Sequence, residues 1–127
     1  MDSAMYSVSV EAGFSAIHRV RLADGSWEPR HGHDWRVTAR FASAALDDRD
    51  MVVDFCAARS ALDAVLGPLH HADLNALPAF AAASPTAERV ARYVLERLRQ
   101  AGLPTLCSVE VVESPGCAAR YQVDVQP

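Results

Sequence analysis

The chain has 127 residues, half of them apolar and 22% charged, with a net charge of −4. That length suits one domain, residues 1–127, with its own core, and the composition is that of a globular protein. The acidic balance argues against a nucleic-acid surface, the apolar runs are too short to span a bilayer, and no charged-then-apolar leader opens the chain.

The first pattern is an alternation. Tyr6, Val8, Val10, Ala12, Phe14 and Ala16 share one face, while Ser7, Ser9, Glu11 and Ser15 share the other, which predicts a half-buried strand. His18 is in phase with the apolar face unless Gly13 marks a bulge that shifts it. Residues 19–30 carry the loop signals Asp24-Gly25 and Pro29. Alternation then returns. His31, His33, Trp35, Val37, Ala39 and Phe41 fall on one side, and Asp34, Arg36, Thr38 and Arg40 on the other. Two such strands joined by a loop pair antiparallel, which brings His18 beside His31 and His33.

A polar turn, Asp47 to Asp50, leads to Met51-Val52-Val53 and to Asp54, a helix N-cap by type. Phe55, Ala58, Leu62, Val65 and Leu69 recur at helical spacing, and Gly67-Pro68 ends that helix. His70 to Asn75 reads as a turn, and the Ala-rich stretch to Ala83 as loop. Ser84-Pro85 predicts a capped second helix, with Ala87, Val90, Ala91, Val94, Leu95 and Leu98 as its buried stripe and Gly102 as its stop. Two strands close the chain. Cys107, Val109, Val111 and Glu113 share a face of the first, and Ala119, Tyr121, Val123 and Val125 a face of the second. The order ββααββ implies an α+β fold, a four-stranded antiparallel sheet with both helices on one face. Cys56, Cys107 and Cys117 are an odd set without a framework spacing and read as reduced thiols in a cytoplasm.

Chemistry collects at the histidines. On an extended backbone His31 and His33 project the same way, so both rings can reach one ion, and His18 adds a third nitrogen. Three protein ligands with a vacant fourth position is the catalytic arrangement of Zn2+. The bland alternative is three separately satisfied core histidines. Glu113 is a carboxylate in phase with valines; it is either frayed into water at the strand end or paired with a planar amidine-like edge, such as guanine and pterin rings offer. His71 and His70 fit a general acid or base by type, and a solvated loop equally well. Glu28, three residues before His31, is close enough to approach an ion's open side, but a loop glutamate is more often simply solvated, and by residue type alone that reading prevails.

Phe14-Ser15-Ala16-Ile17-His18-Arg19, His31-Gly32-His33, Met51-Val52-Val53-Asp54-Phe55, Leu74-Asn75, Ser84-Pro85-Thr86-Ala87-Glu88 and Glu113 together resemble the 6-pyruvoyltetrahydropterin synthase and 6-carboxytetrahydropterin synthase family over nearly the whole chain. The resemblance implies the tunnelling fold, assembly into homo-oligomers (trimers stacked as hexamers) and active sites at subunit interfaces. It makes His18, His31 and His33 the zinc ligands and Glu113 the pterin anchor. It makes the segment at Thr86 a backbone contact to the ring, and His71 the catalytic histidine of an Asp-His-x-x-Leu-Asn motif. Two positions depart from the family pattern. No cysteine lies between His18 and His31, where the synthases carry a catalytic one, and His70 stands where an aspartate normally orients the catalytic histidine. Glu28-x-x-His31-Gly32-His33 is similar to the branch in which a glutamate replaces that cysteine and the side chain of 7,8-dihydroneopterin is cleaved. The implied function is a zinc-dependent lyase acting on a dihydropterin side chain. With two relay positions changed, the alternative is a pterin-binding paralogue with little catalysis.

Overall fold

The computed structural model describes residues 4–124. Strands Tyr6–His18 (β1) and His31–Ser43 (β2) pair antiparallel in unbroken register, from Tyr6 opposite Ser43 to His18 opposite His31. Gly13 therefore makes no bulge. Its reason for lacking a side chain is proximity, because a Cβ there would stand 2.9 Å from the Trp35 carbonyl oxygen and 2.9 Å from an Arg36 guanidinium nitrogen. Helices Phe55–Leu66 (α1) and Ala87–Gln100 (α2) follow, then strands Leu106–Ser114 (β3) and Cys117–Gln122 (β4). The sheet order is β1-β2-β3-β4, all neighbours antiparallel.

Period-two patterning puts the core between sheet and helices. Trp35, Val37, Ala39 and Phe41 of β2 are fully buried and meet Val109 and Val111 of β3 on the same face. Both helices pack on that face, α2 across β3 and β4 and α1 against β1. From them Ala58, Leu62 and Leu66, then Val90, Val94, Leu95 and Leu98, complete the apolar layer. Burying this face is the main favourable term in folding.

Several expected details differ. Phe55, expected in the α1 stripe, is 57% exposed, because the sheet-facing row of α1 runs through Ala58, Leu62 and Leu66. Pro68 does end α1, but the chain continues into a 3-10 turn, Gly67–Leu69, that buries Leu69. The stretch expected as loop holds two more such turns, Leu74–Ala76 and Pro78–Phe80, which bury Leu74 and Phe80. The cap of α2 is Thr86 rather than Ser84: Thr86 Oγ1 accepts from Arg89 N (3.2 Å), one turn in, whereas Ser84 Oγ accepts from Arg21 N (3.3 Å) in the loop after β1. Strand β4 ends at Gln122, so Val123 lies beyond it, and Val125 lies outside the described residues.

Candidate metal centre and active site

The pairing of β1 with β2 sets His18 directly opposite His31, with His33 one pleat along. All three rings stand edge-on to one another, with centroids 4.7 Å (His18–His31), 5.2 Å (His18–His33) and 4.7 Å (His31–His33) apart. Two of them are oriented from behind. His18 Nδ1 lies 2.8 Å from the Pro85 carbonyl oxygen and His31 Nδ1 2.9 Å from that of Pro29. A ring that donates Nδ1–H to a carbonyl presents the lone pair of Nε2, which is how ligating histidines are commonly held.

The fourth member of the cluster comes from β3. Glu113 Oε1 lies 2.8 Å from His18 Nε2 and 3.2 Å from His33 Nε2. Donor atoms of His18, His31, His33 and Glu113 all lie within 4.8 Å of one another. Nitrogens in a tetrahedral zinc site stand about 3.4 Å apart, given bonds of about 2.0–2.1 Å. The set therefore fits a divalent ion with little movement. A second observation supports the fit: His18 Nε2 and His33 Nε2 are buried without an aligned hydrogen-bond partner. Buried polar atoms are otherwise almost always satisfied. Burial also holds the His33 imidazole below the ordinary histidine range; the Glu113 carboxylate opposes this, while His18 and His31 add to it. Neutral imidazole is the form that binds metal.

Glu28 reaches the same centre by a short route. Its backbone N–H donates to the Val20 carbonyl (3.1 Å), and Val20 N–H donates back to Glu28 Oε1 (3.0 Å). This reciprocal pair fixes the carboxylate with Oε1 3.6 Å from His31 Nε2. Next to it, Arg19 and Arg21 both lie over the Trp27 ring, 5.2 and 4.8 Å from its centre.

His70 and His71 do not join the four-residue cluster. They follow the Gly67–Leu69 turn and dock on the outer edge of β1, where His71 N donates to the Ser15 carbonyl (2.6 Å) and Ile17 N to the Ala72 carbonyl (3.0 Å). A cavity of about 530 Å³ nevertheless connects His71 to the centre, lined by Ser15, His33, Asp34, His71 and Asp73, and His70 is not part of its lining. Glu113 has a second outlook, onto a cavity of about 450 Å³ bounded by the first residues of α2 and by Cys117 and Arg120 of β4. Thr86 borders that end of α2 with its backbone engaged, N–H to the Ser84 carbonyl (2.9 Å) and carbonyl to Val90 N (2.9 Å).

With this geometry, the family model for 6-pyruvoyl tetrahydropterin synthase matches residues 7–124. The chain belongs to that family. A 6-carboxy-5,6,7,8-tetrahydropterin synthase of Synechocystis is 34% identical over 92% of this chain and 93% of its own. Family membership also agrees with solved structures. The 6-pyruvoyl tetrahydropterin synthase of Caenorhabditis elegans is 21% identical with a TM-score of 0.84, over 95% of this chain and 97% of that one. That of Plasmodium vivax is 18% identical with a TM-score of 0.80, over 97% and 100%. At such identities these two share the fold. The Plasmodium vivax protein has also been solved as variants in which a catalytic glutamate is replaced by alanine or by cysteine.

Three residues named in the sequence only as members of the resembling stretches support the site through contacts that the sequence did not reveal. The Asn75 side chain takes Arg19 N–H on Oδ1 and gives Nδ2–H to the Arg19 carbonyl, both at 2.9 Å, clamping the chain just past His18. Pro85 supplies the carbonyl behind His18, and Ser15 anchors both histidines of the 70–71 pair. The sequence signal for each was only its place in a stretch that resembles the family: Leu74-Asn75 for Asn75, Ser84-Pro85 for Pro85 and, besides strand phase, Phe14-Ser15 for Ser15.

Proposed function

We propose that this family member is a zinc-dependent lyase that cleaves the side chain of 7,8-dihydroneopterin or its triphosphate, with Glu28 as the base. The observation that carries this reading is the Glu28 carboxylate, tied to Val20 and set 3.6 Å from His31 Nε2. His18, His31 and His33 would hold the ion. Bound zinc would supply a Lewis acid that makes side-chain hydroxyls more acidic. Glu28 removes the proton of the C2′ hydroxyl, the C1′–C2′ bond breaks, and its electron pair passes into the C6=N5 imine of the ring. A two-carbon aldehyde fragment leaves, and His71 returns a proton to C1′, giving 6-hydroxymethyl-7,8-dihydropterin.

Glu113 anchors the pterin through its amidine-like edge, a bidentate pairing natural to a carboxylate. The cavity between Glu113 and the start of α2 supports that placement. The Thr86 carbonyl keeps one lone pair beyond its bond to Val90 N and contacts the ring from the same side. The catalytic glutamate of the Plasmodium vivax protein supports a carboxylate in this role, whereas the Synechocystis relative carries the name of a carboxypterin-forming enzyme. We place the protein in the cytoplasm as a homo-oligomer, trimer or hexamer, with sites at subunit interfaces. Its three cysteines are all free thiols, and among the described residues no helix is long and apolar enough to cross a membrane.

A second reading, a pterin-binding paralogue with little turnover, is favoured by one observation, the histidine at position 70 where the family pattern has an aspartate. Zinc-loaded protein offered 7,8-dihydroneopterin and its triphosphate separately, with products identified by chromatography and mass, decides among these. The hydroxymethyl product, lost in Glu28→Ala while zinc and pterin binding persist, supports the lyase. A pyruvoyl or carboxy product replaces the reaction proposed, and ligand returned unchanged supports the paralogue.

A further inference from the structure

His71 has a backbone φ of +62°, in the left-handed region that residues with a Cβ rarely adopt. Such a conformation persists only where its surroundings over-determine it. Here the surroundings are Ser15 and His70. Ser15 receives the His71 N–H on its carbonyl (2.6 Å) and gives its own N–H to Nδ1 of His70 (3.1 Å). The His70 ring in turn lies flat against the His71 ring, centroids 3.7 Å apart and planes 29° from parallel. The Ser15 hydroxyl is itself tethered to Asp34 Oδ1 (2.5 Å), so the anchor belongs to the paired body of β1 and β2.

We infer that His70 is a positioning residue: its Nδ1 accepts the Ser15 N–H, and its ring, so fixed, serves as the platform that holds His71 toward the cavity shared with His33. An Nδ1 that accepts a backbone N–H carries no proton, so the neutral ring has its hydrogen on Nε2. A carboxylate would orient a histidine by accepting from its ring nitrogen. His70 works differently, through a backbone bond on one side and a stacked face on the other. The histidine at this position is thereby a change in how the neighbouring ring is held, and the site keeps an oriented His71. A misplacement of about 1 Å in a reacting group costs on the order of 100-fold in rate, so this support has a measurable effect.

This inference rests on His71 acting in turnover, and the test separates the two. His70→Asn keeps an acceptor oxygen where Nδ1 stands but removes the ring; His70→Phe keeps a stacking ring but removes the acceptor. The double function predicts that both variants fold and that kcat on 7,8-dihydroneopterin falls about 10- to 100-fold in each, in Asn for want of the platform and in Phe for want of its anchor, with KM within about twofold of the parent. Two readouts need no turnover. In 15N-labelled protein, imidazole two-bond correlations should show His70 unprotonated at Nδ1. Exchange of the Ser15 amide hydrogen should accelerate in His70→Phe and stay protected in His70→Asn. Parent-like kcat in either variant, a protonated Nδ1, or equal Ser15 exchange in both variants would overturn the role of His70. If the parent protein turns over no dihydropterin, the lyase reading falls, while the tautomer and the exchange pattern still decide how His70 is held.

Discussion

Glu113 Oε1 lies 2.8 Å from His18 Nε2, so the residue assigned to the pterin also touches the donor atom assigned to the metal. Both roles draw on the same carboxylate, and one variant separates them. If Glu113 serves the pterin, Glu113→Ala retains close to one zinc per chain and loses pterin binding by at least 10-fold, since charge-assisted hydrogen bonds contribute about 1.5–3 kcal/mol. Metal analysis together with pterin fluorescence titration measures both. Loss of zinc instead would make Glu113 a ligand.

His18 and His31 should differ as structural elements while acting alike toward the metal. If the three histidines hold zinc as proposed, either alanine variant removes a donor and the purified protein should contain no zinc. In metal-free protein the costs separate. His18 is fully buried and bonded to the Pro85 carbonyl, so His18→Ala leaves a cavity and an orphaned acceptor, at about 2–4 kcal/mol. His31 is partly exposed and its ring bonds the carbonyl of Pro29 two residues away, so His31→Ala should cost well under that. Denaturant unfolding in chelator gives the comparison.

Much of this was legible because it is periodic. The β2 alternation fixed Trp35, Val37, Ala39 and Phe41 inside, and the same parity carried His31 and His33 to one side. His18 could be phased against them because two strands and a loop have one natural pairing. What periodicity does not encode is contact between distant segments. The reach of Asn75 back to Arg19, of Pro85 to His18 and of His70 to Ser15 spans 55 residues or more in each case. Those contacts depend on how turns stack on a sheet edge. The α2 cap was misplaced for a related reason, since Ser84 and Thr86 both suit a cap by type, and only the fold shows that Ser84 is already engaged by Arg21.

That assignment predicts an asymmetry at the start of α2. Thr86→Ala should destabilise the protein by about 1 kcal/mol, the usual value of a lost N-cap, and Thr86→Ser should restore most of it. Ser84→Ala should cost less, because its hydroxyl accepts a longer, exposed bond from Arg21 N. Thermal unfolding of the three variants side by side measures the order.

Asp54 caps α1, accepting from Cys56 N (2.8 Å) and Arg49 Nη2 (2.9 Å), and the Arg49 hydrogen bond together with the backbone donors holds its carboxyl below the ordinary value of 3.8. A folded-state value below the unfolded one means that the unfolded chain binds the extra proton first as pH falls. The stabilisation from Asp54 is therefore fully present above about pH 5 and is lost as pH drops through 3.8 and below. The stability gap between the parent and Asp54→Ala should stay constant from neutral pH to about 5 and narrow in more acid solution. A gap that widens on acidification would contradict the cap.

Gly13 gives the sharpest steric prediction. Its position in β1 faces Arg36 of β2, and an added Cβ would meet both the Arg36 guanidinium and the Trp35 carbonyl oxygen at 2.9 Å. The guanidinium is the end of a flexible side chain and can move aside. The carbonyl cannot, because Trp35 is fully buried and stacked on Phe14. Gly13→Ala should therefore displace β1 from β2 and cost about 1–3 kcal/mol, despite the gain in strand propensity. The displacement lies five pairs from the His18–His31 contact, so zinc affinity should fall as well. Unfolding free energy and zinc titration of Gly13→Ala test the pair of effects, and Arg36→Ala in the same background should recover little of either if the backbone contact dominates.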